Sequence, residues 1–235
     1  MKVKIQLPES LREITLAQYQ HFLERAKGLE ENELKALMIE CFCLIPADKV
    51  KLIERSSVEE VCMHLDNLFI QEKSLVNKFE LKGFKFGFVP DLDAITFGEY
   101  VDLDKYIGDW SNMHRAMAVL FRPIGTEIKE EYKILDYEGT DEYAELMKLM
   151  PLDVVLGSQV FFWNLGSELL AALPSYLEKE GRAIIQLGRS SVENGDGIAQ
   201  SISSLEEMLG TLKQSLNSDF QQLSPTSLLK ARKTE

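Results

Sequence analysis

Apolar residues recur at helical spacing through the first third of the chain. Thr15-x-x-Gln18 has the spacing of a capping box, in which two side chains satisfy the free amides at a helix start. It predicts a helix over 16–27, and a similar apolar stripe predicts a second helix over 31–43. Ser57-x-x-Glu60 has the same spacing and predicts a third helix start, after a short helical turn at 48–53.

Alternation of apolar and polar residues marks the predicted strands. Val3 to Leu7 alternates, and so do Phe79-Glu80-Leu81 and Phe84-Lys85-Phe86-Gly87-Phe88 on either side of Lys82-Gly83. The latter pair predicts a β-hairpin over 79–89. A further strand is predicted over 131–135.

Helical signals return after the hairpin. Thr96-x-x-Glu99 is a third capping-box motif and predicts a helix over 97–106, and Asp109 or Ser111 is placed to cap the next one. We expect that helix to cover 112–121 and Pro123 to end it, with one more short helix over 142–149.

The carboxyl-terminal part divides into three stretches. A long apolar helix is predicted from Pro151 to about Glu180, a linker-like stretch covers 181–197, and a helical period returns over 198–216 before a polar tail. We therefore expect a mainly α (α+β) fold: a globular domain over 1–180, a linker over 181–197, and a helical appendage with its tail over 198–235.

Composition narrows the classes of partner. The chain is 45% hydrophobic, which is enough for a core, and it has a net charge of −12, which argues against nucleic acid as a partner. The apolar run over 151–173 contains Asp153 and Glu168, so we interpret it as a buried helix and expect no membrane span. The amino terminus lacks the pattern of a signal peptide, and the three cysteines are an odd number, which favours a reducing cytoplasm.

Catalytic and metal-binding patterns are missing from the sequence. Only His21, His64 and His114 could serve as histidine bases, and no common nucleophile, zinc-protease or nucleotide-binding motif occurs. Asp91-x-Asp93 and Asp102-x-Asp104 fail the pattern of a calcium loop, because the sixth residue from Asp91 is Thr96 rather than glycine. We expect no enzyme, no cofactor and no metal. We interpret Asp91 and Asp93 as residues that flank a turn and cap the next helix, and Asp102 and Asp104 as solvated.

The stretch 79–124 combines aromatic and acidic residues, and we call it the acidic aromatic block. Residues 90–149 contain 14 acidic and 6 basic residues, a balance that indicates either a solubilising surface or a basic partner. Aromatic residues are favoured where proteins bind one another. The residues predicted to bind a partner are Phe97, Tyr100, Tyr106 and Trp110 in the block, together with Leu205, Leu209 and Leu212 on the last helix. That helix could instead dock within the chain or make a homo-oligomer.

The same segments carry a family resemblance. PDLDAITFGEYVDLDKYIGDWSNMHRAMAVLFRPI, YKILDYEGT and MPLDVVLGSQVFFWNLGSEL resemble segments of tailed-bacteriophage proteins, and the opening IQLPESLREITLAQYQHFL is similar to phage tail-assembly chaperones. This resemblance implies a protein of the infected host's cytoplasm that holds the tape-measure protein, whose long apolar helices aggregate unless they are shielded. The alternatives are a permanent virion component, such as a connector or an internal capsid or tail protein, and an unrecognised enzyme or metal protein.

Overall fold

The structure is a computed structural model and describes residues 6–129 and 131–168. The chain divides into two units, Met1–Ser158 and Gln159–Glu235, and residues 159–168 of the second unit are helical. Five predictions lie wholly or partly outside the described residues: most of the strand Val3–Leu7, the end of the long helix near Glu180, the linker over 181–197, the helix that carries Leu205, Leu209 and Leu212, and the polar tail after it.

Four helices form the amino-terminal part of the first unit. They follow a 3-10 turn at Leu11–Glu13 and are α1 (Leu16–Ala26), α2 (Glu31–Phe42), α3 (Ala47–Val50) and α4 (Arg55–Ile70). The capping box at the start of α1 is confirmed, since the Thr15 amide donates to Gln18 Oε1 at 2.8 Å and the Gln18 amide donates to Thr15 Oγ1 at 3.3 Å. The buried rings at the centre of this module are Tyr19, Phe22, Phe42 and Phe69.

The predicted start of the third long helix is wrong. α4 begins at Arg55 rather than after Ser57, and the Val58 amide already donates to the Glu54 carbonyl at 3.0 Å. The first turn is made of polar residues, so the apolar stripe does not reveal it. Ser57 and Glu60 therefore lie inside the helix and form no capping box.

A four-stranded antiparallel sheet follows, in the order β1-β2-β3-β4. Its strands are β1 (Lys78–Leu81), β2 (Phe84–Phe88), β3 (Phe121–Ile128) and β4 (Glu131–Ile134). The predicted hairpin is confirmed, and its turn places Lys82 and Gly83 at φ 52° and 84°, the left-handed pair of a tight hairpin turn. The α+β class is confirmed as well, but the sheet is larger than a hairpin.

The expectation that Pro123 ends a helix is wrong. Helix α5 covers Phe97–Tyr106, α6 covers Met113–Leu120, and α6 passes directly into β3. The helix ends at Leu120 because Phe121 pairs with Phe88 and the Val89 amide donates a hydrogen bond to the Leu120 carbonyl at 2.8 Å. Pro123 lies within β3 opposite Phe86, where its carbonyl accepts from the Leu135 amide at 2.9 Å.

The last elements of the first unit close it onto its beginning. Helix α7 covers Asp141–Met147, and a helix that we label α8 covers 152–168, of which 152–158 belong to this unit. Thr15 and Pro151 form an isolated β-bridge, in which the Leu16 amide donates to the Met150 carbonyl at 2.9 Å and the Leu152 amide to the Ile14 carbonyl at 2.8 Å. The start of α1 and the start of α8 are thereby joined.

Candidate protein-binding site

Helix α5 turns a carboxylate inward at its first turn. The Thr96 amide donates to Glu99 Oε2 at 2.7 Å, and the Glu99 amide donates to Thr96 Oγ1 at 3.3 Å, so the predicted capping box is confirmed. Glu99 is only 3% exposed and is the buried residue of this helix. The inner face of α5 is therefore centred on an acid rather than on an apolar side chain.

The partner of that acid is a buried arginine on the sheet. Glu99 Oε1 lies 2.6 Å from Arg122 Nη2, and both side chains are almost fully buried. Burial raises the pKa of Glu99, but the hydrogen bonds with Thr96 and the charge of Arg122 outweigh it, so the pKa lies below its ordinary value. The carboxylate stays ionised, and the ion pair links α5 to β3.

A second contact fixes the same helix from the side. The Tyr137 hydroxyl donates to Asp102 Oδ2 at 2.5 Å, and the Arg122 guanidinium lies 5.5 Å from the centroid of the Tyr137 ring. Burial, followed by the hydrogen bond to Asp102, raises the pKa of Tyr137. The expectation that Asp102 is merely solvated is wrong, because Tyr137 reaches it from the loop after β4.

The opposite side of α5 presents apolar residues to solvent. Phe97 is 81% exposed, Tyr100 56% and Val101 44%, and Asp104 is exposed one turn further along. We call these four residues the α5 outer face. Since positions i, i+3 and i+4 lie next to one another on a helix, the three apolar side chains form one stripe.

Two of the predicted partner-binding aromatics have contacts inside the molecule instead. Trp110 is half-buried and packs edge-on against Tyr19, with ring centroids 5.0 Å apart. Tyr106 is half-buried and lies close to two cations, with Lys105 Nζ 4.9 Å and the Arg115 guanidinium 5.7 Å from its ring centroid. Among the four predicted aromatics, all of which lie in the described part of the chain, Phe97 and Tyr100 are thus the two whose side chains are mostly exposed to a partner.

Three other acids of the acidic aromatic block, Asp91, Asp93 and Asp104, are exposed to solvent. The Asp93 amide donates to Asp91 Oδ1 at 2.9 Å, which confirms the predicted turn, although Thr96 caps the helix that follows. Asp104 is solvent-exposed, as predicted. In the described part of the chain, no three His, Cys, Asp or Glu side chains converge on a metal-sized site.

The cysteines lie in the helical module. Cys41 and Cys62 are buried and Cys43 is half-buried. Burial raises the pKa of Cys41 to about 11, of Cys43 to about 11 and of Cys62 to about 12. All three therefore stay protonated thiols at neutral pH and are poor nucleophiles.

Sequence reasoning missed Arg122 and Tyr137 as the residues that set the orientation of α5. The only signal was the capping-box motif, which places Glu99 at the helix start but does not predict that it is buried. Arg122 is 23 residues away along the chain and lies on a strand that the sequence pattern did not reveal.

Comparison of the chain with protein-family models, with curated proteins and with solved structures finds no match. Among the described residues, the helices are too short or too polar to cross a bilayer.

Proposed function

We propose that this chain is a non-enzymatic assembly factor of a tailed bacteriophage. In this proposal it acts in the host cytoplasm as a tail-assembly chaperone and binds helical structural proteins such as the tape measure. The observation that carries the proposal is the orientation of α5, which buries Glu99 and exposes Phe97, Tyr100 and Val101. The resemblance to phage tail-assembly chaperones supports the choice of partner.

The energetics favour a binding role for this face. An exposed aromatic ring gains nothing from folding, whereas covering it with a partner contributes about 1.5–3 kcal/mol for each fully buried side chain. A helix held by a buried ion pair and a tyrosine–aspartate hydrogen bond also keeps its shape. A pre-formed face binds with a smaller entropic cost than a flexible one.

The proposal also includes parts of the chain outside the described residues. The predicted helix over 198–216, with Leu205, Leu209 and Leu212, would supply a second contact with the partner or a homo-oligomer interface. It would follow the predicted linker over 181–197.

Co-expression tests the proposal. The chain is produced together with a fragment of the tape-measure protein from the same genome, and the soluble fraction of the fragment is measured. We expect the intact chain to raise that fraction and the double substitution Phe97→Ala, Tyr100→Ala to remove most of the gain. Phe84→Ala is the matched control, because this ring is also exposed but lies at the hairpin turn. No gain with the intact chain would overturn the proposal.

The alternative of a permanent virion component predicts a different outcome in purified particles. Quantitative mass spectrometry should find a chaperone absent from the particle and a component present in a fixed copy number.

A catalytic or metal-binding role is tested by changing Asp91, Asp93, Asp102 and Asp104 to Asn. We expect this variant to bind its protein partner more weakly, because negative charge is lost. We expect no loss of metal binding, because no three acidic side chains among the described residues converge on a metal-sized site.

A further inference from the structure

We infer that the ligand of the α5 outer face is a basic amphipathic helix. This inference rests on the proposed function and adds the chemistry by which a partner would be recognised. Two features of the face carry it, namely the geometry of its apolar stripe and the charge around that stripe.

The shape of the stripe fits a helix. Phe97, Tyr100 and Val101 lie on one side of α5, and Asp104 continues the same side one turn later. At 1.5 Å per residue, the distance from Phe97 to Asp104 along the axis is about 10 Å, or two turns. A partner helix that packs along this stripe would present apolar residues at i, i+3 or i+4, and i+7, the pattern by which helices interdigitate.

The segment that carries the stripe has a negative charge that is largely uncompensated. Residues 91–109 contain six acidic residues and one basic residue, Lys105. Glu99 is neutralised by Arg122, which leaves an excess of four negative charges. In the described part of the molecule, Asp91, Asp93 and Asp104 are exposed and have no ion pair. Lysine or arginine residues that flank the apolar stripe of a partner would meet these carboxylates.

The same charge disfavours other occupants. Nucleic acid and anionic lipid surfaces bind through clustered cations, which this face lacks. An acidic or neutral helix would bring no countercharge and would gain only the apolar contact. Electrostatic complementarity therefore selects a partner with basic residues beside its apolar stripe.

The experiment uses the full chain and three labelled peptides of about 18 residues, a length at which a designed helix can form. The first has leucine at i, i+3 and i+4 spacing and lysine elsewhere. The second replaces each lysine with glutamate, and the third has the composition of the first in an alternating order without a helical stripe. Fluorescence anisotropy measures the binding of each peptide. We expect the first peptide to bind at least tenfold more tightly than the other two, and its affinity to fall as salt is raised from about 50 to about 200 mM.

Variants locate the contact. We expect Phe97→Ala, Tyr100→Ala to weaken binding of the first peptide by about tenfold or more, since anchor residues dominate such contacts. The charge reversals Asp93→Lys and Asp104→Lys together should weaken it severalfold. Phe84→Ala controls for loss of an exposed ring, and Glu60→Lys controls for a charge reversal at an exposed position of α4.

Each outcome supports or overturns the inference. Equal binding of the glutamate peptide overturns the charge argument, equal binding of the alternating peptide overturns the helix, and insensitivity to the Phe97 and Tyr100 changes overturns the location. The peptide comparison on the unchanged chain holds even if a variant fails to fold. If tape-measure solubility depends on Phe97 and Tyr100 while the lysine peptide does not bind, this inference fails and the proposed function stands. If the lysine peptide binds but the chain has no effect on tape-measure solubility, the proposed function fails and the basic-helix inference stands.

Discussion

Glu99 shows how a single carboxylate can decide which face of a helix is turned inward. It accepts from the Thr96 amide and pairs with Arg122, and both contacts lie on the buried side of α5. Once Glu99 occupies that side, helical geometry places Phe97, Tyr100 and Val101 toward solvent. The exposed rings are therefore a consequence of where the charge is held.

The buried pair leads to a stability prediction. Arg122→Met leaves the Glu99 carboxylate buried without its countercharge, so we expect the free energy of unfolding to fall by about 3 kcal/mol or more in urea denaturation. Arg115→Met is the control, because the partner of Arg115, Asp141, is exposed and such pairs contribute less than about 1 kcal/mol. Equal losses for the two variants would show that the buried pair has no special role.

Leu44 is a second residue whose conformation leads to a prediction. It follows α2 at φ 55° and is 75% exposed, although the left-handed region costs a non-glycine residue about 1 kcal/mol. Leu44→Asn should therefore raise the free energy of unfolding by roughly 0.5–1 kcal/mol, since asparagine tolerates this conformation. Leu52→Asn removes a similarly exposed leucine that is not at positive φ and should give no gain, as measured by the urea midpoint. A gain of the same size at both positions would refute the conformational explanation.

At the scale of elements, α8 depends on a close backbone approach. A Cβ atom at Gly157 would collide with the carbonyl of Ser74, which is backbone and cannot rotate away. We expect Gly157→Ala to lower the unfolding temperature, at a cost of about 1–3 kcal/mol for the forced displacement. A Cβ at Gly166, on the same helix, meets no atom of the described residues within 4 Å, so Gly166→Ala should leave stability unchanged or increase it by up to about 1 kcal/mol. Effects of equal sign in the two thermal melts would contradict the steric argument.

Local signals predicted the elements that depend on neighbouring residues. Thr15 with Gln18 and Thr96 with Glu99 identified two helix starts, and Lys82-Gly83 identified the hairpin turn. β3 could not be found this way, because it contains Pro123 and Gly125 and follows α6 without a turn. It exists because Phe121 pairs with Phe88, 33 residues earlier, a contact that no local pattern encodes.

The same limit applies to the candidate site. Phe97 and Tyr100 could be proposed from their residue types, but the contact of Trp110 with Tyr19 depends on how distant segments pack. The orientation of α5 likewise depends on Arg122 and Tyr137, which come from β3 and from the loop after β4. Residue chemistry predicted candidates for binding, and tertiary contacts determined which of them are exposed.

At the scale of the whole molecule, carboxylates with lowered pKa values set the response to acid. The hydrogen bond from Arg25 lowers the pKa of Glu40, and the contacts described above lower that of Glu99, both from an ordinary value of 4.5. A carboxylate with a depressed folded pKa stabilises the fold above its unfolded pKa, and this contribution is lost as the pH falls through the folded value. We expect the urea midpoint to be steady from neutral pH to about pH 5 and to fall below about pH 4.5.

The substitution Glu99→Gln measures how much Glu99 contributes to the loss of stability in acid. At neutral pH this variant should be less stable than the unchanged chain, because it lacks the ion pair with Arg122. The difference should shrink in acid, where Glu99 itself becomes protonated. A difference between the two urea midpoints that stays constant down to pH 3 would mean that Glu99 does not contribute to the acid response.

The bridge between Thr15 and Pro151 has a consequence for synthesis on the ribosome. Leu16 and Leu152, whose amides complete this junction, are 136 positions apart. Translation proceeds at about 5–20 residues per second, so residues 150–152 are added on the order of ten seconds after residues 14–16, to which they bond in the folded protein. During that interval the apolar residues Ile14 and Leu16 lack the partner strand that they bond to in the folded protein, so the nascent chain is exposed to cellular chaperones and proteases until position 152 emerges.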